Sequence, residues 1–168
     1  MNDTENKRDM PYSAPLCCDD IVMDDQWWFP WTDGNGICRL DPNNKDDIHI
    51  YQIPEAPLVG RRITTSIFKM GKYIIVCPFN IEAITVVDTD TDEVHTIMLE
   101  KRTPKAGRIF DNKFWSGIAY KKYIYFAGHY YPAIVRLDCE TWQLKYIDSW
   151  RSEIEKRADY CISLPFFF

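Results

Sequence analysis

The stretch Tyr73-Ile74-Ile75-Val76-Cys77-Pro78-Phe79-Asn80-Ile81-Glu82-Ala83-Ile84-Thr85-Val86-Val87-Asp88 decides the fold. Two runs rich in β-branched residues flank a short loop, a pattern that reads as an antiparallel pair of strands and not as a helix. The second run stops at an aspartate followed by Thr89-Asp90-Thr91, residues whose short polar side chains favour turns. The same unit occurs twice more. Upstream it reads Trp27-Trp28-Phe29-Pro30, a loop, then Gly36-Ile37-Cys38-Arg39-Leu40-Asp41. Downstream it reads Tyr123-Ile124-Tyr125-Phe126, a loop, then Ala133-Ile134-Val135-Arg136-Leu137-Asp138.

The three aspartates are spaced 47 and 50 residues apart, the length of one four-stranded β-propeller blade. The flanking segments supply the other two strands of each unit. Cys17 to Met23, Ile63 to Lys69 and Phe114 to Tyr120 precede the repeats as innermost strands. Ile48 to Ile53, Val94 to Leu99 and Leu144 to Ile147 follow them as outer strands. The sequence therefore predicts an all-β chain, a partial β-propeller of three four-stranded antiparallel blades over residues 14–53, 63–99 and 114–147 of a single domain, 1–168. Aligning the inner strands on Ile21, Ile67 and Ile118 puts Ile162 at the start of a fourth blade, 159–168, on which the chain ends. An open sheet edge beside Phe166-Phe167-Phe168 predicts self-association or completion by further blades.

Composition narrows the class. The 168 residues are 46% hydrophobic and 15% aromatic, enough to bury a substantial core. Twenty basic against 25 acidic residues give a net charge of −5, which argues against nucleic acid as a partner. No stretch is long and apolar enough to span a membrane, and Met1 to Asp9 lacks the apolar run of an export signal, so a cytoplasmic address is expected. The six cysteines include no Cys-x-x-Cys; Cys38 and Cys77 fall inside apolar strand patterns and read as buried thiols. Vicinal Cys17-Cys18 is the pair open to oxidation.

Tyr73 through Leu99 resembles the repeat of the YVTN-type, kelch-like β-propellers: an aromatic-led apolar strand, a loop, a Val-x-Val-Ile-Asp-like strand, a Thr-rich turn and a fourth strand. Ala83-Ile84-Thr85-Val86-Val87-Asp88-Thr89 and Ile134-Val135-Arg136-Leu137-Asp138 carry the match. The family's asparagine is replaced by Val76 and Phe126, and Pro30 interrupts the first copy. The resemblance implies a binding or scaffold role.

No catalytic constellation stands out. His49, His95 and His129 fall in different blades, and neither a nucleophile elbow nor a phosphate-cradling glycine loop is present. Asp88-Thr89-Asp90-Thr91-Asp92 mimics the first half of a calcium loop but has Glu93 at position six and Leu99 at position twelve, where glycine and a bidentate glutamate belong. No metal and no cofactor are expected. Asp41, Asp88 and Asp138 read instead as turn formers.

The loops between second and third strands emerge on the same side as the connectors between blades. They offer Trp31 and Asn35, Phe79 and Asn80, and His129, Tyr130 and Tyr131. The connectors add Arg61, Arg62 and Arg108, with Lys101, Arg102 and Lys105 nearby. Aromatics beside planar polar groups suit a sugar ring or a peptide, and the arginines suit an anionic group on it. The other reading is that the rings pack against neighbouring loops and the arginines are solvated. Two functions follow: a non-catalytic module binding a glycan or protein, or a fragment of a propeller enzyme acting on a carbohydrate-like substrate. Asp46-Asp47 and Asp90-Thr91-Asp92-Glu93, on the opposite side, read as solubilising turns, and Ser152-Glu153-Ile154-Glu155 as the start of a short helix.

Overall fold

A computed structural model describes residues 20–31, 35–54, 64–102, 113–150 and 152–153. Among these residues twelve strands follow one another: β1 (Val22–Met23), β2 (Trp27–Trp31), β3 (Gly36–Asp41), β4 (Asn44–Gln52), β5 (Thr64–Met70), β6 (Tyr73–Pro78), β7 (Ala83–Asp88), β8 (Val94–Met98), β9 (Phe114–Tyr120), β10 (Tyr123–Gly128), β11 (Ile134–Asp138) and β12 (Leu144–Ile147). They form three separate four-stranded sheets, each an antiparallel meander in sequence order. This is the all-β, three-blade architecture that the repeat predicts. Between sheets, β5 meets β1, β2 and β9, and β6 meets β9, so the first strands stand innermost. Helical backbone at Ser149-Trp150 and Ser152-Glu153 begins three residues before the expected Ser152. The fourth-blade segment 159–168 lies outside the described residues.

The middle sheet is buried on both faces, because successive side chains of a strand point to opposite sides and each side has a neighbour. In β6 and β7 every residue but Tyr73 is buried. Ile74, Val76 and Val87 join Trp28, Ile37 and Tyr51 of the first sheet in one cluster. Ile75, Ile84 and Val86 join Ile124, Phe126 and Val135 of the third sheet in another. Each such buried aliphatic or aromatic side chain contributes on the order of 2 kcal/mol relative to exposure.

Strand pairing corrects the alignment of the first blade by one residue. Trp27 pairs with Leu40, Ile74 with Val87 and Ile124 with Leu137, so Trp27 corresponds to Ile74 and not to Tyr73. Among the inner strands, Val22 pairs with Trp28, Phe68 with Ile75 and Ile118 with Tyr125. Val22, Phe68 and Ile118 are thus equivalent, in place of Ile21, Ile67 and Ile118. The cause is local: Gln26 stands where the other copies open on Tyr73 and Tyr123, so an alignment led by the first aromatic slips by one residue.

The three aspartates do form turns. A carboxylate oxygen accepts the N–H two residues on in each: Asn43 at 2.8 Å, Asp90 at 3.0 Å and Glu140 at 3.0 Å. In the second and third blades a lysine from the first hairpin joins them, Lys72 at 2.8 Å from Asp88 and Lys122 at 3.3 Å from Asp138. Cys38 and Cys77 are buried in β3 and β6, as their apolar surroundings predict, while Cys17, Cys18 and Cys161 lie outside the described residues.

Candidate functional site

Gly128 shapes the loop between β10 and β11. A Cβ there would lie 2.2 Å from the carbonyl oxygen of Tyr131 and 2.6 Å from that of Ala133, so only glycine lets the chain double back this tightly. Lys113, at the end of the connector into β9, then ties this loop to the equivalent loop of the second blade. Its N–H donates to the Phe79 carbonyl at 2.7 Å, and its own carbonyl accepts the N–H groups of His129 and Tyr131 at 2.8 and 3.2 Å. Its ammonium, itself nearly buried, pairs with Glu82 at 2.8 Å.

Rings run across this staple. Phe79 meets Trp115 edge-on at 5.8 Å, Trp115 meets His129 at 5.5 Å, and His129 meets Tyr130 at 4.2 Å. Trp115 is 52% exposed, His129 is exposed and Tyr130 half-buried. The result is a run of three accessible rings on a backbone held by hydrogen bonds from both neighbouring blades. Large rings held in one conformation lose little entropy when a ligand covers them.

The expected binding residues divide. Phe79 and Tyr131 are buried, so their rings serve packing: Tyr131 lies 5.0 Å from Phe114, and its hydroxyl donates to the Glu100 carbonyl at 2.6 Å. Burial holds that phenol above its ordinary pKa. Asn35 is buried in a left-handed conformation, φ 52°, with its carbonyl accepting the Ile53 N–H at 3.1 Å. Trp31, Asn80 and Tyr130 are half-buried and His129 exposed, and these remain accessible. Arg61, Arg62, Lys105 and Arg108 lie outside the described residues. Arg102 sits 4.5 Å over the Tyr146 ring and is paired with Glu100 at 3.0 Å and Asp148 at 2.6 Å, which leaves it structural.

Trp115 and Lys113 were missing from the sequence reading. Trp115 was legible in part, since Phe114-Trp115 places two large rings side by side where a half-buried strand alternates. Lys113 carried no signal, because its role is made by its backbone.

The opposite end also holds a feature that the acidic turns hid. A groove of about 340 Å³ lies between the second and third blades, lined by Tyr73, Val86, Asp88, His95, Ile97 and Trp142. The Trp142 indole stands perpendicular to the Tyr73 ring at 4.8 Å. Both Asp88 oxygens are engaged, one by Lys72 and the other by the Asp90 N–H. The Lys72 hydrogen bond holds this carboxyl below the ordinary aspartate range. Among the described residues, no group of three or more His, Cys, Asp or Glu is placed to hold a metal ion. No helix among them is long and apolar enough to cross a membrane.

Several solved structures resemble the chain. Streptogramin B lyase superposes with a TM-score of 0.58 over 77% of this chain, at 13% identity. The extracellular domain of BT4673 from B. thetaiotaomicron gives 0.55 over 77%, also at 13% identity, and apo AztD from Citrobacter koseri gives 0.53 over 73% at 16% identity. The fold is propeller-like. The chain spans 39%, 16% and 32% of the lengths of those proteins, so it corresponds to only part of each. No family model matches the sequence, and no curated protein matches it.

Proposed function

We propose that the chain is a non-catalytic binding module that takes a glycan or protein ligand on the loop end of its blades. The observation that carries this reading is the accessible run Trp115, His129 and Tyr130, stapled through Lys113 to the loop of the adjacent blade. Of the two ligands a glycan is favoured, since the C–H face of a sugar ring covers an indole while its hydroxyls reach an imidazole or an amide such as Asn80. Trp31 flanks the same end, and the connector arginines Arg61, Arg62 and Arg108 add attraction for an anionic ligand.

A glycan array run beside a peptide panel tests the reading. Trp115→Ala and Tyr130→Ala should each weaken binding at least about tenfold, the scale of an aromatic anchor, at every salt concentration. Replacing the three arginines should chiefly flatten the salt dependence. Asp90→Ala, on the opposite end, should change nothing. Hits that persist unchanged in the Trp115 and Tyr130 variants would remove the site from this face.

A further inference from the structure

The groove between the second and third blades occupies the place that Arg39 fills between the first and second. Strand pairing fixes the equivalence. Arg39 pairs with Trp28 and His49, and Val86 with Ile75 and His95, while Tyr51 lies opposite Ile37 as Ile97 lies opposite Ile84. At the first interface the Arg39 guanidinium lies 5.9 Å over the Trp28 ring and 5.8 Å over the Tyr51 ring, and Asp92 of the next blade meets it at 3.2 Å. The second blade carries Ile75, Val86 and Ile97 at the positions of Trp28, Arg39 and Tyr51, all smaller and uncharged. The groove of about 340 Å³ opens over Val86 and Ile97.

Two rings wall this groove, as two rings flank Arg39. Trp142, at the place of Asp92, stands perpendicular to Tyr73 at 4.8 Å, so a planar cation laid against one ring meets the other. Its backbone is left-handed, φ 59°, a conformation that a bulky residue holds only where its surroundings impose it. Carboxylates outnumber ammonium groups around it. Asp88 and Asp90 lie 2.8 and 3.5 Å from Lys72, and Glu93 lies 3.7 Å from His95. Lys72 offsets one of these three acids, and the Asp90 and Glu93 side chains are exposed and can turn toward a cation. The groove sits at the low end of the roughly 300–1,000 Å³ usual for ligand sites, which suits one long side chain rather than a folded surface.

We infer that this groove binds the arginine side chain of a partner peptide, whose guanidinium takes beside Tyr73 and Trp142 the place that Arg39 takes beside Trp28 and Tyr51. Val86 and Ile97 cover its methylene stem, and Asp88 and Glu93 balance its charge. The site lies at the end of the blades opposite to Trp115 and does not rest on the function proposed for that end.

The probe is a capped peptide, Gly-Ser-Arg-Ser-Gly, titrated against the full chain to millimolar concentration with the tryptophan indole N–H resonances as readout. The Trp142 resonance, identified by its absence in Trp142→Leu, should shift saturably. Citrulline in place of the arginine keeps the shape without the charge and should weaken binding at least about tenfold; lysine, a point charge without the planar face, should weaken it at least about threefold. Tyr73→Leu should cost about tenfold in affinity, and Glu93→Gln about threefold with a flatter salt dependence. Val86→Arg should abolish binding, because it supplies the guanidinium from within the chain. Trp115→Ala, at the loop end, should leave this affinity unchanged, and Val86→Arg should leave ligands of the loop end bound. Circular dichroism and urea midpoints establish that each variant is folded; should Tyr73→Leu or Val86→Arg unfold, the other decides, and the exposed Glu93→Gln decides should both. The absence of a saturable shift, equal affinity for the citrulline or lysine peptide, or an affinity unmoved by the folded groove variants overturns the inference.

Discussion

Asp92 and Trp142 occupy the same place in successive blades, and both hold the left-handed conformation at φ 59°. Each follows its turn aspartate by four residues and donates its N–H back to that residue's carbonyl, at 2.9 and 2.8 Å. The backbone is therefore shared and the chemistry is not. Asp92 reaches into the first blade and meets Arg39 at 3.2 Å and the Tyr51 hydroxyl at 2.5 Å. Trp142 reaches into the second blade and meets Tyr73 edge-on. One interface is closed at its rim by charge, the other by an indole.

The two rims should answer differently to salt. Asp92→Ala removes a half-exposed ion pair and the acceptor of the Tyr51 hydroxyl, so its cost should be about 1–2 kcal/mol, and the part owed to Arg39 should shrink in high salt. Trp142→Ala removes an aromatic contact and the apolar area around it, so its cost should be about 2 kcal/mol and insensitive to salt. Urea unfolding of both variants at low and high salt measures the contrast. Equal salt dependence in the two would show that the Arg39 pair contributes nothing of its own.

Tyr130 and Tyr131 are neighbours in sequence with opposite fates. Tyr131→Ala should cost on the order of 3–5 kcal/mol, as for other buried rings, and Tyr131→Phe about 1 kcal/mol for the hydrogen bond to Glu100. Tyr130→Ala should leave the unfolding midpoint within about 1 kcal/mol of the parent, because its ring is not in the core. A Tyr131 variant of parent-like stability would contradict the packing described for it.

The strands were legible because each carries its own evidence: alternation or a β-branched run, closed by a turn aspartate whose carboxylate does what its position suggests. The face to which each residue points was less legible in the first blade. There Gln26 stands in place of the leading tyrosine of the other two copies, Tyr73 and Tyr123, and a slip of one residue moves every side chain to the other side of the sheet. The site was harder still. Whether Phe79 or Tyr131 is buried depends on Trp115, Phe114 and Glu100, which come from other strands and connectors and share no spacing with the repeat. Lys113 acts through its backbone, and no side-chain pattern announces that.

Acid should weaken the second blade through Asp88. Its carboxyl is held below the ordinary value of 3.8 by the Lys72 hydrogen bond, so as pH falls the unfolded chain takes up the proton first. The contribution is complete above the ordinary value and is lost as pH drops through the lower folded value. Lys72→Met should therefore flatten the fall in urea midpoint between about pH 5 and about pH 2, while lowering stability near neutrality. An acid profile unchanged by that substitution would mean that the pair does not hold the carboxyl.

The first hairpin turns of the second and third blades set Gly71 against Lys121, at φ 61° and 55°. Side chains other than glycine cost roughly 1–2 kcal/mol in this left-handed region, because Cβ crowds the following carbonyl. Nothing lies within 4 Å of a Cβ placed at Gly71, so a substitution there tests the backbone alone. Gly71→Ala should lower stability by about 1 kcal/mol despite filling open space. Lys121→Gly relieves the same strain but gives up the ammonium resting 5.4 Å over the Tyr120 ring and frees the unfolded chain. Its gain should therefore be smaller, about 0.5 kcal/mol. Urea unfolding of both variants decides the matter: a Gly71→Ala chain as stable as the parent would show that this turn carries no conformational strain.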